Sequence, residues 1–123
     1  MTTLPLVLVV DDDEDVRTFI KELLEEEGYA VATAGNGREA VDFTTSSPRE
    51  PSCVLLDLMM PVMNGWDVME HWEREGRLPR LQVVIFTAAV NAKGPPGART
   101  YLRKPTDSTQ LLDTIKACCS HAA

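Results

Sequence analysis

VLLDLMMP, residues 54–61, sets a single acid, Asp57, at the end of an apolar run that stops at a proline. A short run of Val and Leu bounded by turn-forming residues reads as a strand covered on both faces, which is how parallel sheets are built. Cys53 to Asp57 is therefore a core strand that carries a carboxylate to its end. The start of the chain does the same: LPLVLVV, Leu4 to Val10, runs directly into Asp11, Asp12 and Asp13. LQVVIFT, Leu81 to Thr87, ends on a hydroxyl, and the short strand Thr100 to Arg103 is followed by Lys104. Tyr29 to Ala34 makes a fifth strand.

Helical patterns fill the intervals. Asp11 to Asp15 opens a helix whose apolar positions Val16, Phe19, Ile20, Leu23 and Leu24 recur at three and four, and Gly28 ends it. After a Gly35-Asn36-Gly37 turn, Arg38 to Thr45 carries Ala40, Val41 and Phe43 inward, and Ser46 to Ser52 is a loop. A third helix begins near Gly65 and is lined by Trp66, Met69 and either Trp72 or His71. Asp107 or Ser108 caps a last helix bearing Leu111, Leu112 and Ile115. Strands alternating with helices imply right-handed crossovers and a parallel sheet between two helical layers.

The chain of 123 residues fits one domain, 1–123, with no room for a second core. A formal charge of −7, from 12 Lys and Arg against 19 Asp and Glu, supplies no basic stripe and argues against direct nucleic-acid binding. No apolar run approaches the roughly 20 residues that cross a bilayer, and no cleavable leader opens the chain, so a cytoplasmic protein without membrane insertion is expected. Cys53 opens a strand, and Cys118 and Cys119 are vicinal near the end, a usage that fits a reducing compartment. Only His121 stands near that pair as a further ligand, so the pair is read as a fraying helix end rather than a metal site.

Ligand crevices of such sheets lie beyond the carboxyl ends of the strands. Asp11, Asp12, Asp57, Thr87 and Lys104 all collect there. Carboxylates brought together repel one another, and a hard divalent cation relieves that repulsion. Mg2+ suits one or two carboxylates plus phosphate oxygens and water. A lysine adds a point charge for a phosphoryl group, and a threonine hydroxyl can donate to one of its oxygens. These are the parts of a phosphoryl-transfer site with a carboxylate nucleophile.

In order and spacing, LVLVVDDDEDVR, LLDLMMPVMNG, Thr87 followed by Ala88, and YLRKP resemble the bacterial response regulator receiver domain over nearly the whole chain. The resemblance implies a flavodoxin-like, doubly wound α/β fold with five parallel strands in the order 2-1-3-4-5. It implies two-component signalling in which Asp57 takes a phosphoryl group from a histidine kinase or a histidine phosphotransfer protein. Asp12 would bind Mg2+ directly and Asp11 largely through water, with Asp57 and the Met59 carbonyl completing the protein ligands. Thr87 and Lys104 would contact the phosphoryl group, a cis Lys104-Pro105 bond is implied, and Tyr101 would act with Thr87 as the switch. The domain would catalyse its own phosphorylation and dephosphorylation, with no separate substrate, and would signal to an unidentified protein target.

Other readings stand beside these. Asp13, Glu14 and Asp15 can simply favour a helix N-terminus. A calcium loop would need Gly where Val16 stands. Taken singly, Thr87 is an ordinary strand residue, Lys104 a solvated lysine, Tyr101 a core aromatic, and Met59, Met60 and Met63 packing residues. Two further function classes remain: a receiver-like interaction module whose output is independent of phosphorylation, and an aspartate-nucleophile phosphatase, which would carry a second acid where Met59 stands. No DNA-binding or enzymatic segment follows the last helix, so a domain acting alone is expected. Two features depart from the family pattern. Thr106 follows Lys104-Pro105, where looser packing is expected, and Ala88 to Ala98 is short and contains Gly94-Pro95-Pro96-Gly97. A crossover with its helix needs at least about 10 to 12 residues. The fourth helix is therefore expected to be missing or cut to one turn.

Overall fold

The computed structural model describes residues 4–78, 80–88 and 94–120. The elements are β1 (Leu6–Val10), α1 (Glu14–Glu26), β2 (Ala30–Ala34), α2 (Gly37–Ser46), β3 (Cys53–Leu56), α3 (Gly65–Arg74), β4 (Val83–Thr87), β5 (Thr100–Arg103) and α4 (Ser108–Ser120). All strands pair in parallel, in the order β2-β1-β3-β4-β5. This is the flavodoxin-like arrangement.

The strands explain their own composition. Along β1, Leu8 and Val10 pack with Ala40, Val41, Val68, Met69 and Trp72 of α2 and α3. Val7 and Val9, on the opposite face, pack with Ile20 and Leu24 of α1 and Leu111 and Ile115 of α4. β3 and β4 divide the same way, so the three inner strands are apolar except for Thr87 at the end of β4, while the edge strands β2 and β5 are largely exposed or half-buried. Trp72, not His71, is the inward residue: it is fully buried, and its indole N–H donates to Thr44 Oγ1 at 3.0 Å. Thr44 in turn donates to the Val41 carbonyl at 2.9 Å.

Side-chain oxygens start each helix. Asp13 accepts from the amides of Asp15 and Val16, Asn36 from Glu39, Asn64 from Asp67, and Asp107 from Gln110. Each such cap contributes about 1 kcal/mol. Glu39 reaches back to the Gly35 amide at 2.7 Å, so the 35–37 turn is half of a reciprocal cap.

Several expectations are corrected. β1 begins at Leu6, because Leu4 is half-exposed, and β4 begins at Val83 rather than Leu81. Phe19 is not inward: it lies on the flank of the α1 stripe and is 58% exposed. Met59 is 60% exposed rather than packed, although Met60 and Met63 do pack against the core. Tyr101 is likewise outside the core, at 52%. Cys118 does not fray, being fully buried in a helix that continues to Ser120. Thr106 is half-buried and donates to the Gln110 side chain at 2.6 Å. The shortened helix was expected within Ala88 to Lys93, of which residues 89–93 lie outside the described residues, as does His121. From Gly94 to Arg99 the backbone is non-helical, with a turn at Pro96-Gly97.

Candidate functional site

The sheet registers place the predicted residues in one row. Asp57 directly follows β3, Thr87 ends β4 opposite Arg103 of β5, and the Lys104 amide donates to the Thr87 carbonyl at 2.9 Å. Asp11 follows β1, and the Asp57 amide donates to the Val10 carbonyl at 3.0 Å. Oxygens of Asp11, Asp12 and Asp57 lie within 4.8 Å of one another. Asp11 and Asp57 are buried, whereas Asp12 faces solvent.

Lys104 joins the cluster. Its ammonium donates to Asp11 Oδ2 and, at 3.2 Å, to Asp57 Oδ2, and it sits 5.1 Å from the centre of the Phe86 ring. The Lys104-Pro105 bond is cis. Burial opposes the charge on Lys104, yet Asp11 and Asp57 outweigh it and hold its pKa above the ordinary value. Burial pushes the Asp11 carboxyl up, although Lys104 and the Asp13 amide pull it down. Lys104 therefore does not fully offset the burial of the Asp11 carboxyl. The described cluster offers carboxylate oxygens and neither thiol nor imidazole, which suits a hard divalent cation.

The raised Asp11 pKa has a definite sign. The folded protein holds that proton more tightly than the unfolded chain, so ionised Asp11 costs stability above the folded pKa, and the cost disappears as pH falls through it. Asp11→Asn keeps an acceptor for the Asp13 amide, bonded at 2.9 Å. In a chelating buffer the variant is expected to be more stable than wild type at neutral pH, with the advantage shrinking in acid. Urea unfolding across pH measures this, and an advantage that grows on acidification would refute it.

The loop after β3 fixes the Asp57 backbone. A Cβ on Gly65 would stand 2.6 Å from the Asp57 carbonyl oxygen, so only glycine permits this approach of α3. The Gly65 amide donates to the Leu58 carbonyl at 2.9 Å, and the Met59 amide donates to Asp57 Oδ1 at 3.2 Å. Within this loop Val62 has φ of +68° and is 81% exposed, under a Met63 amide to Pro61 carbonyl bond of 2.7 Å. This is the strained form of the γ-turn, at a β-branched residue. Val62→Asn, which tolerates that backbone region, is expected to stabilise the domain by about 1 kcal/mol. Urea unfolding would show it; an unchanged or lowered midpoint would count against stored strain there.

Two contacts escape sequence reading. Arg17 Nη1 donates to the Asp11 carbonyl at 2.6 Å, steadying the acid pair from α1. Phe86 supplies the ring face beneath Lys104. Only the alternation of β4, which puts Phe86 on the α1 and α4 side, hinted at the second. Tyr101 stands apart from the acids, its hydroxyl donating to the Pro95 carbonyl at 2.6 Å.

Comparison with known proteins bears on this geometry. Residues 7–116 match the family model described as response regulator receiver domain. The sporulation initiation phosphotransferase F of Bacillus subtilis is 30% identical over 115 residues, covering 89% of this chain and 90% of that protein. Response regulator MprA of Mycolicibacterium vanbaalenii is 35% identical over 116 residues; the match covers 90% of this chain but only 48% of that longer protein. Among solved structures, the response regulator TrrA from Thermotoga maritima, in complex with Mg2+ and BeF, superposes with a TM-score of 0.82 at 29% identity, covering 94% of this chain and 99% of that one. With a matching model over most of its length, this chain belongs to the response regulator receiver domain family of two-component signalling.

Proposed function

We propose that this domain accepts a phosphoryl group on Asp57 from the phosphohistidine of a histidine kinase or a histidine phosphotransfer protein, with Mg2+, and passes the signal on through protein contacts. The observation that carries this reading is the Lys104 ammonium held between Asp11 and Asp57 inside a three-carboxylate cluster. In the transfer, one Asp57 oxygen attacks phosphorus in line as the phosphorus–nitrogen bond breaks and the electron pair leaves with the histidine. Asp57 Oδ1 is steadied by the Met59 amide, which orients the carboxylate. Lys104 offsets charge on the phosphoryl oxygens, and Thr87 donates its hydroxyl to one of them.

Asp11, Asp12 and Asp57, with the Met59 carbonyl, would hold Mg2+, which when bound neutralises the phosphoryl oxygens. The superposed Thermotoga structure, solved with Mg2+ and BeF, supports this assignment. Thr87 and Tyr101 are the pair through which the phosphorylated state would reach the surface. Among the described residues no helix is long and apolar enough to cross a membrane. A cytoplasmic setting accords with the donors proposed.

The test is incubation of the full chain with phosphoramidate and Mg2+, followed by intact mass. One added phosphoryl group is expected, and a chelator should prevent it. No adduct at any donor concentration would overturn the proposal.

A further inference from the structure

Arg17 brings a fixed positive charge to the side of a carboxylate cluster suited to a divalent cation. It lies in the first turn of α1, and by charge alone it repels an incoming metal. What it touches is backbone. Arg17 Nη1 donates to the Asp11 carbonyl at 2.6 Å. The guanidinium also lies over Gly35, where a Cβ would stand 3.4 Å from Nη1 and 3.7 Å from Cζ. Arg17 thus spans from α1 to the end of β1 and the turn after β2.

The rest of Asp11 is already tied. Its amide donates to the Ala34 carbonyl at 3.1 Å, its Oδ1 accepts from the Asp13 amide at 2.9 Å, and its Oδ2 accepts from Lys104. Asp12 differs: it faces solvent, so its carboxylate is aimed chiefly by its own backbone. That backbone begins at the peptide whose carbonyl Arg17 holds. Because the peptide is planar, fixing the Asp11 carbonyl fixes the plane that carries the Asp12 amide, and with it the direction from which the Asp12 side chain departs.

We propose that Arg17 is a positioning residue for the metal site, holding the Asp11–Asp12 peptide so that the Asp12 carboxylate is aimed at the cation. This role presupposes that Asp11, Asp12 and Asp57 hold Mg2+, as assigned above. Mg2+ demands near-octahedral geometry at short oxygen distances, so a misdirected ligand is lost rather than accommodated. A guanidinium makes a charge-assisted bond to a carbonyl, and its planar fork gives up little freedom in doing so. Repulsion of the metal is the opposing effect. Arg17 is only half-buried, so solvent and salt screen that repulsion, whereas partners that orient metal ligands commonly change affinity by about tenfold or more. Positioning therefore outweighs charge, and the two call for opposite shifts in affinity when Arg17 is replaced.

The full chain, in metal-free buffer at neutral pH, is titrated with magnesium chloride and followed by the amide NMR shifts of Asp12, Asp13 and Met59. Arg17→Met keeps a long, helix-forming stem and removes both donor and charge. Arg17→Lys keeps the charge on a stem one bond shorter. Both should retain the shift dispersion of a folded domain. The Met variant should bind Mg2+ roughly tenfold more weakly, and the Lys variant should be weakened too, since charge without the reach does not hold the carbonyl. In phosphoramidate uptake, the half-saturating Mg2+ concentration of the Met variant should rise by the same factor, while the rate at saturating Mg2+ stays within about twofold of wild type. Binding by the Met variant as tight as wild type, or tighter, would overturn the proposal, as would wild-type affinity in the Lys variant. If wild type itself showed no shift with magnesium chloride, the metal assignment would fall first and this role with it.

Discussion

Asp57→Asn is expected to reduce phosphoryl uptake from phosphoramidate below detection by intact mass, while leaving the domain folded. The amide is a poor nucleophile, and it removes the negative charge that helps hold a cation beside an incoming anion. Structure is spared for identifiable reasons. Asn keeps an acceptor for the Met59 amide, and Lys104 retains Asp11 as its partner. Without metal, losing one of three clustered acids also relieves repulsion, so the unfolding midpoint should hold or rise. Continued single phosphorylation of the Asn variant would place the acceptor elsewhere, with the neighbouring acids Asp11 and Asp12 the first candidates.

Trp72→Ala should produce the largest loss of stability, about 3 to 5 kcal/mol. The side chain is fully buried between α2, α3 and the sheet, and its removal leaves a void that backbone packed on three sides cannot close. Its indole N–H also ties α3 to α2 through Thr44. Thr44 keeps its bond to the Val41 carbonyl, so the cost is chiefly the cavity rather than an orphaned hydroxyl. Against a typical domain stability of about 5 to 15 kcal/mol, this is a large fraction. Trp72→Phe keeps most of the ring volume and should cost markedly less. Urea unfolding separates the two, and equal losses would show that the hydrogen bond, not the volume, dominates.

What could be read from sequence follows from how each part is specified. Inner strands are covered on both faces, so β1, β3 and β4 announce themselves as unbroken apolar runs. In a parallel sheet their ends must share an edge, so the meeting of Asp11, Asp57 and Lys104 was legible as well. Helical periodicity marks a stripe but not its width. Phe19 satisfies the period yet lies on the flank, lining a groove with Val16, Phe86, Pro105 and Leu111. Val62 carries no sign in its side chain of a backbone that suits asparagine or glycine better. That Cys53, Cys118 and Cys119 share one core layer depends on how α4 lies across the sheet, a tertiary property without local periodicity.

The contact between Tyr101 and the segment before it amounts to a latch. A Cβ on Gly94 would stand 2.0 Å from the Tyr101 ring, so the backbone there fits the ring as a keeper fits a bolt, and the Pro95 carbonyl holds the hydroxyl. Any swing of the ring away from its exposed position breaks that bond and releases the 94–97 strap. Conversely, a ligand that grips the strap withholds the ring. If Tyr101 is the switch proposed above, the state of the phosphoryl site would be legible from outside as the slack in a few residues of backbone, without any contact to the acids.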